Sequence, residues 1–330
     1  MYEDHIEIAC DESGFSGGNL VGRAASPVLA HASIRIEAAT AAELLQHLRR
    51  EIGARGTGEY KSPEILRPRR RPVLLWLLGS SSPIYGSAYV HLTDTRFFVL
   101  GRLVDVLLGP QPASGIASPG RDGRSQERSL ALYKWGEESY GTPRWQEFLT
   151  LSANLFRTNN RWLPKKPLET FYAAVDSMAD DSAAAEVKEV MGLLRSTRPV
   201  AEATRALYLE NPKLTPLMEP LLPALNHAVH HWGSYAQTLS VIHDEQSALT
   251  PERIADIATG YATSRPGRQL TGVRLVDSSR EPRVQIADFV AGIARRLASD
   301  QLKGRADTEV RDLLRPVIDH GSVWVDLSES

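Results

Sequence analysis

Three acidic residues lie at the ends of apolar segments that are far apart in the chain. Asp11 follows the alternating segment Ile6–Cys10, Asp244 follows Leu239–His243, and Asp288 lies near the start of an apolar helical pattern. Carboxylate oxygens are the ligands that Mg²⁺ and Mn²⁺ prefer, and a few carboxylates hold one or two such ions. Two ions about 3.5–4 Å apart can catalyse phosphodiester hydrolysis. The pattern therefore predicts a divalent-metal site at one edge of a sheet.

Each acid also has a structural explanation when it is taken alone. Asp before Gly is common where a strand turns, which would account for Asp11, and Asp244 could begin a turn in the same way. Asp288 differs because its apolar neighbours, such as Phe289, predict partial burial. A buried carboxylate is costly unless a cation or a hydrogen-bond donor is beside it. The three settings together favour one shared acidic site.

A fourth acid follows the first predicted helix. Glu59 is the candidate, with Glu64 as the alternative, because either side chain could lie beside the sheet edge. Lys61, two residues after Glu59, could contact a phosphate or neutralise the acids. These residues add a fourth acid and a cation to the predicted metal site.

A basic cluster comes next in the chain. It contains Arg67, Arg69, Arg70 and Arg71, interrupted by prolines. Arginine side chains commonly contact the phosphates of nucleic acids, so Arg67, Arg69 and Arg70 are candidate substrate-binding residues. A solvated basic turn explains the same cluster equally well.

The elements that must position these residues can be predicted from periodicity and turn signals. Strands are expected at Ile6–Cys10 and Val28–Ile36, paired as a hairpin, and at Ile84–Leu92, Gln237–His243, Thr271–Asp277 and Val323–Leu327. Helices are expected at Ala41–Ile52 with Thr40 as its cap, and at Arg96–Leu108, Pro251–Thr263, Val284–Leu297 and Asp307–Ile318. This order of elements predicts an α/β fold with a mixed sheet.

The middle of the chain has a different character. Gly109–Ser125 is rich in Gly, Pro, Ser and Ala and is expected to be a loop or linker. From about Glu127 to His231 the patterns are almost all helical. We therefore predict a sheet-containing core formed by residues 1–109 and 232–330, with a large helical insertion at residues 110–231.

Histidines near the end of the insertion are weaker candidates. His227, His230 and His231 include helical spacings that could share a face, but a zinc site needs a third or fourth ligand, and no cysteine is nearby. We therefore expect no zinc site there. His243 precedes Asp244, but strand alternation directs the two side chains to opposite faces.

Composition limits the classes of function. The chain has 330 residues, a formal net charge of −2 and one cysteine. No basic leader or long apolar segment is present, so the expectation is a cytoplasmic protein that does not span a membrane. Nucleic acid would have to be bound by local basic patches. The phosphate-loop, serine-elbow and dinucleotide-binding motifs are absent from the sequence.

Four segments together resemble a known family. DESG at Asp11–Gly14, EYKS at Glu59–Ser62, HDE at His243–Glu245 and VQIADF at Val284–Phe289 are similar to the bacterial domain-of-unknown-function 3800 family. The resemblance covers roughly residues 1–92 and 237–297. It implies a ribonuclease H-like mixed sheet flanked by helices, with Asp11, Glu59, Asp244 and Asp288 as the acidic set that binds Mg²⁺ or Mn²⁺.

The expected function is a metal-dependent nuclease that acts on RNA or DNA. Two alternatives remain open. One is a non-catalytic module that binds nucleic acid or protein, and the other is a nucleotide phosphohydrolase on the same fold. The helical insertion is the expected place for selection of a substrate, a protein partner or a second copy of the chain.

Overall fold

A computed structural model describes residues 3–14, 20–22, 25–52, 62–110, 123–157, 166–179, 184–305 and 307–325. Within these ranges the strands are β1 (Glu3–Ser13), β2 (Val28–Ile34), β3 (Ala88–Asp94), β4 (Ala236–Asp244) and β5 (Gln269–Val276). The helices are α1 (Ala38–Ile52), α2 (Arg71–Leu78), α3 (Thr95–Leu108), α4 (Gly123–Tyr140), α5 (Thr142–Leu155), α6 (Pro167–Ala179), α7 (Ala185–Arg195), α8 (Arg198–Glu210), α9 (Leu221–Trp232), α10 (Pro251–Ser264), α11 (Pro282–Gln301) and α12 (Thr308–Leu314).

The strands form one mixed sheet in the order β3-β2-β1-β4-β5. β1 pairs antiparallel with β2, as the predicted hairpin requires, and parallel with β4, which in turn is parallel to β5. The central position of β1, with a strand on each side, explains the burial of Ile6 and of residues 8–11, whereas residues 3–5 at its start are exposed. The predicted α/β fold with a mixed sheet flanked by helices is confirmed.

The two faces of the sheet are covered by different helices. On one face, Ala9 and Ile242 belong to an apolar core with side chains of α1, α2, α11 and α12. On the other face, Ile8 and Val241 pack with side chains of α9 and α10. Alternation along each strand therefore fixes which face any residue of β1 and β4 takes.

Two compact units can be distinguished by their internal contacts. One comprises the described residues among 1–15, 28–93 and 220–324, and the other comprises those among 16–27, 94–219 and 325–330. α3 packs with α4 and α5 in the second unit, whereas α9 packs against strands in the first. Aromatic side chains such as Trp145, Phe148 and Phe171 form the centre of the helical unit. No described helix combines the length and apolar character needed to cross a bilayer.

Several predicted boundaries are wrong for identifiable reasons. α1 begins at Ala38, so Thr40 lies inside the helix and does not cap it. β3 begins at Ala88 because Gly86, with φ of +70°, turns the chain first. α12 ends at Leu314, where a short 3₁₀ turn containing Pro316 follows. Of the predicted terminal strand, Val323 makes a single bridge to Thr93, and residues 326–327 lie outside the described ranges.

Candidate acidic site

Asp11 and Asp244 lie on neighbouring strands at the same edge of the sheet. In the parallel pair β1–β4, Cys10 is opposite His243, and the two aspartates are the next residues on each strand. Asp11 lies two residues after Ala9, and Asp244 lies two residues after Ile242, so both take the face covered by α11. Gly14 follows the end of β1 with φ of +100°, a backbone conformation that residues with a side chain rarely adopt.

Asp288 reaches the same place from α11. This helix packs against β1 and β2, and Ala287 and Ala291 are fully buried beside the sheet. Their small side chains allow the helix to lie close to the strands. Burial, together with the negative charges of Glu12, Asp288 and Asp244, raises the pKa of Asp11 to about 9. The structure therefore brings these acids close enough to repel one another, and a cation would relieve that repulsion.

Hydrogen bonds fix the orientation of two of the acids. The backbone N–H of Glu12 donates to Asp11 Oδ1 over 2.7 Å, and that of Ser278 donates to Asp244 Oδ1 over 3.0 Å. Gln285 Nε2, one turn before Asp288 on α11, donates to the carbonyl of Ser278 over 2.9 Å. The segment after β5 thus links Asp244 to the helix that carries the third acid.

A cation that sequence reasoning missed stands beside the acids. Arg295 lies seven residues after Asp288 on α11, and its Nε donates to Ser13 Oγ at the end of β1 over 2.9 Å. Burial and the nearby charge of Arg296 lower the pKa of Arg295, while Asp288 opposes that shift. Seven residues make two helical turns, so the sequence spacing alone predicts that Arg295 lies on the same face of α11 as Asp288.

The other predicted site residues have mixed outcomes. Glu59 and Lys61 lie outside the described residues. Glu64, the alternative fourth acid, forms an exposed ion pair of 2.5 Å with Arg67. Arg70 donates to the carbonyl oxygens of Glu51 and Ile52 at the end of α1. These contacts tie the basic cluster to its own protein surface.

The last two arginines of the cluster differ from one another. Arg71 pairs with Asp307 and Glu309, next to and within the start of α12. Arg69 is exposed to solvent. Within the cluster, Arg69 is therefore the side chain best placed to meet a ligand from solution.

A second polar cluster lies behind the acids, on the opposite face of the sheet. His243 is fully buried there, as alternation predicted, and its Nε2 is 3.3 Å from His31 Nε2 and 3.9 Å from Glu12 Oε2. Gln246 Nε2 donates to Glu12 Oε1 over 2.5 Å. Burial lowers the pKa of both histidines, so they are neutral at pH 7. Glu12 therefore supports the strand end and does not face the three aspartates.

Ligand-atom spacing separates this acidic site from a third cluster. Among the described residues, His91, His227 and Asp319 are the group of three whose ligand atoms all lie within 4.8 Å of one another. The three aspartates do not meet that spacing.

Comparison with known proteins gives no relative from which a function could be transferred. No family model, curated protein or solved structure matches the chain.

Proposed function

We propose that this protein is a divalent-metal-dependent nuclease whose ions are held by Asp11, Asp244 and Asp288. The observation that carries the proposal is the parallel register of β1 and β4, which places Asp11 beside Asp244 on the face that α11 covers. Asp288 is close enough to Asp11 to raise its pKa. Carboxylates delivered by two strands and a helix form a rigid set of oxygen ligands.

The ligand chemistry favours Mg²⁺ or Mn²⁺. All three side chains offer hard oxygen ligands, which suit these ions better than zinc or copper. Bound ions would supply a nucleophilic water at neutral pH and stabilise the oxygens of the phosphodiester. The protein contributes orientation: Ser278 fixes Asp244 through its backbone N–H, and Glu12 does the same for Asp11.

Arg295 supplies the positive charge that a polyanionic substrate needs at this edge. Its guanidinium is held by Ser13 at the end of the strand that carries Asp11. An arginine in this position can hydrogen-bond to phosphate oxygens and orient the substrate over the acids. In our proposal Arg295 binds substrate phosphates, a role that the sequence suggested for the Arg67–Arg71 cluster. Most members of that cluster contact the protein itself.

A ribonuclease H-like core and membership of the domain-of-unknown-function 3800 family are parts of the same proposal. The central position of β1, with the first acid at its end and β4 parallel to it, is consistent with both. Under this proposal the polymer is RNA or DNA, and Glu59 is the fourth ligand with Lys61 beside it.

The test is a cleavage assay with labelled single-stranded RNA, single-stranded DNA and duplex DNA in Mn²⁺. Asp11→Asn and Asp288→Asn should each lose more than about 100-fold in rate while their circular dichroism shows the wild-type fold. Glu245→Gln is the matched control, because Glu245 is exposed and adjoins Asp244. Retained cleavage in both aspartate variants would overturn the proposal. Phosphate release from nucleoside triphosphates with intact polymers would favour a nucleotide phosphohydrolase.

A further inference from the structure

A cluster of side chains that can bind a metal lies beside β3, the edge strand on the other side of the sheet from β5. His91 belongs to β3, His227 to α9, and Asp319 to the segment that follows α12. His91 and Asp319 are 1% and 9% exposed, whereas the His227 side chain is 36% exposed. Three separate elements thus deliver two imidazoles and a carboxylate to one partly accessible point.

The contacts converge on a single oxygen atom. Asp319 Oδ2 is 2.7 Å from His91 Nδ1 and 2.8 Å from His227 Nδ1, and the two imidazole centroids are 4.4 Å apart. Tyr89 also hydrogen-bonds to Asp319. Asp319 Oδ2 is therefore shared between the two rings.

The backbone around Asp319 is built to hold this arrangement. Asp319 N–H donates to the carbonyl of Val90 over 2.8 Å, and Gly321 N–H donates to Asp319 Oδ1 over 2.7 Å. A Cβ at Gly321 would lie 2.6 Å from His227 Cε1, so only glycine fits there without displacement. Ser322 Oγ accepts from Leu92 N–H over 3.0 Å. Residues 318–323 are thereby fixed along β3.

We propose that His91, His227 and Asp319 bind one transition-metal ion of the zinc class, and that the ion fastens residues 318–323 to β3. Two imidazole nitrogens and a carboxylate oxygen are a common ligand set for Zn²⁺ and Co²⁺, and a poor one for Mg²⁺. The partial exposure of His227 leaves room for water as the fourth ligand. This site is independent of the proposed nuclease chemistry.

The present separations are close to those that coordination requires. Ligand atoms about 2.0–2.1 Å from a tetrahedral ion lie about 3.3 Å from one another. The measured nitrogen–oxygen distances of 2.7 and 2.8 Å would therefore each increase by about 0.5 Å. Small rotations of His227, which has solvent on one side, provide part of that adjustment. A purely hydrogen-bonded cluster is the competing explanation.

The test is titration of the full-length, chelator-treated protein with Co²⁺, followed by visible absorption. Wild type should bind one equivalent with the d–d bands of a low-coordinate site, and Zn²⁺ should displace it. His227→Ala and Asp319→Asn should lose those bands and weaken binding by more than about 100-fold. His320→Ala is the matched control, because His320 is exposed and adjoins Asp319.

Three further measurements separate this site from the acidic site and from a folding defect. Asp11→Asn should keep the Co²⁺ bands, and Zn²⁺ should raise the melting temperature of wild type but not of His227→Ala. Circular dichroism should show that His227→Ala is folded. Identical Co²⁺ spectra and affinities in wild type and His227→Ala, or no such bands in wild type, would overturn the proposal.

Discussion

Arg295 on α11 donates a hydrogen bond from Nε to Ser13 Oγ on β1, over 2.9 Å. This contact brings a cation to the strand end that carries Asp11, close to Asp288 on its own helix. The same side chain can therefore neutralise the acids and attract a phosphate. The two roles have different consequences. The positive charge of Arg295 competes with a metal ion for the acids, whereas it assists the binding of a polyanionic substrate.

Replacement of Arg295 tests this arrangement. Arg295→Ala should raise KM for the nucleic-acid substrate by about tenfold, because a charged hydrogen bond to phosphate is lost, and it should leave Mn²⁺ affinity unchanged or stronger. Steady-state kinetics and Mn²⁺ titration measure both effects. Arg296→Ala is the matched control, since Arg296 is exposed and pairs with Asp300. An unchanged KM in Arg295→Ala would remove Arg295 from the substrate site.

Ser13→Ala separates the position of the guanidinium from its charge. This variant keeps Arg295 but removes its acceptor at the end of β1. We expect a loss of about 1 kcal/mol in the free energy of unfolding, as for a typical hydrogen bond. The rise in KM should be smaller than that of Arg295→Ala. A larger rise than in Arg295→Ala would show that Ser13 itself contacts the substrate.

Metal binding should release a proton from Asp11. Burial and the charges of Glu12, Asp288 and Asp244 raise its pKa to about 9, so Asp11 is protonated at pH 7 in the absence of a cation. The apparent association constant for Mn²⁺ should therefore rise about tenfold per pH unit between about pH 6 and pH 8. Calorimetry in two buffers of different ionisation enthalpy should give close to one proton released, and no release would contradict the raised pKa.

The same pKa determines how stability depends on pH. Because the folded-state pKa of Asp11 lies above its usual value of 3.8, the stabilising contribution is complete below that value and is lost as the pH rises through about 9. The metal-free protein should therefore become less stable from about pH 4 to pH 9. Thermal melts of wild type and Asp11→Asn should diverge, with the variant showing the weaker pH dependence.

Neighbouring arginines of the basic cluster should differ in effect. Arg70 donates to the carbonyls of Glu51 and Ile52 at the end of α1, so Arg70→Ala should cost about 1–2 kcal/mol of stability. Arg69 is exposed, and Arg69→Ala should change stability by less than about 0.5 kcal/mol. Denaturant unfolding measures both. If Arg69→Ala weakens nucleic-acid binding, the cluster takes part in substrate recognition after all.

Two glycines of the helical unit offer a matched test of its packing. A Cβ at Gly136 on α4 would lie 2.3 Å from the ring of Trp145, which is buried on α5. Gly136→Ala should therefore destabilise the protein by about 1–3 kcal/mol. Gly192 on α7 is exposed and has open space around it, so Gly192→Ala should stabilise by up to about 1 kcal/mol. Equal effects from both would contradict the close packing of α4 and α5.

The acidic site shows what local pattern can predict. Asp11 and Asp244 each follow an apolar strand, and strand alternation is enough to place them on one face and His243 on the other. A role for Asp288 in the site could be predicted because a carboxylate buried among apolar helix residues is costly unless a cation or a hydrogen-bond donor lies beside it. The assignment of their function to a nuclease, and the part of Glu59, stay predictions.

The histidine cluster shows what local pattern cannot predict. The helical pattern singles out His227, but its partners belong to β3 and to the segment after α12, which only the folded chain brings together. Periodicity predicts a helix up to Ile318, whereas α12 ends at Leu314 and Ile318 bridges to Val90, so the sequence alone does not predict the place of Asp319 beside β3. The sequence predicts no zinc site at His227, His230 and His231 because a further ligand is lacking, and the fold brings His91 and Asp319 to His227.

Anomalous diffraction from a crystal soaked in Mn²⁺ tests the central claim most directly. We predict one or two manganese peaks bounded by carboxylate oxygens of Asp11, Asp244 and Asp288 at coordination distance. Absence of manganese from this strand edge at saturating Mn²⁺, or peaks that none of the three aspartates contacts, would contradict the account.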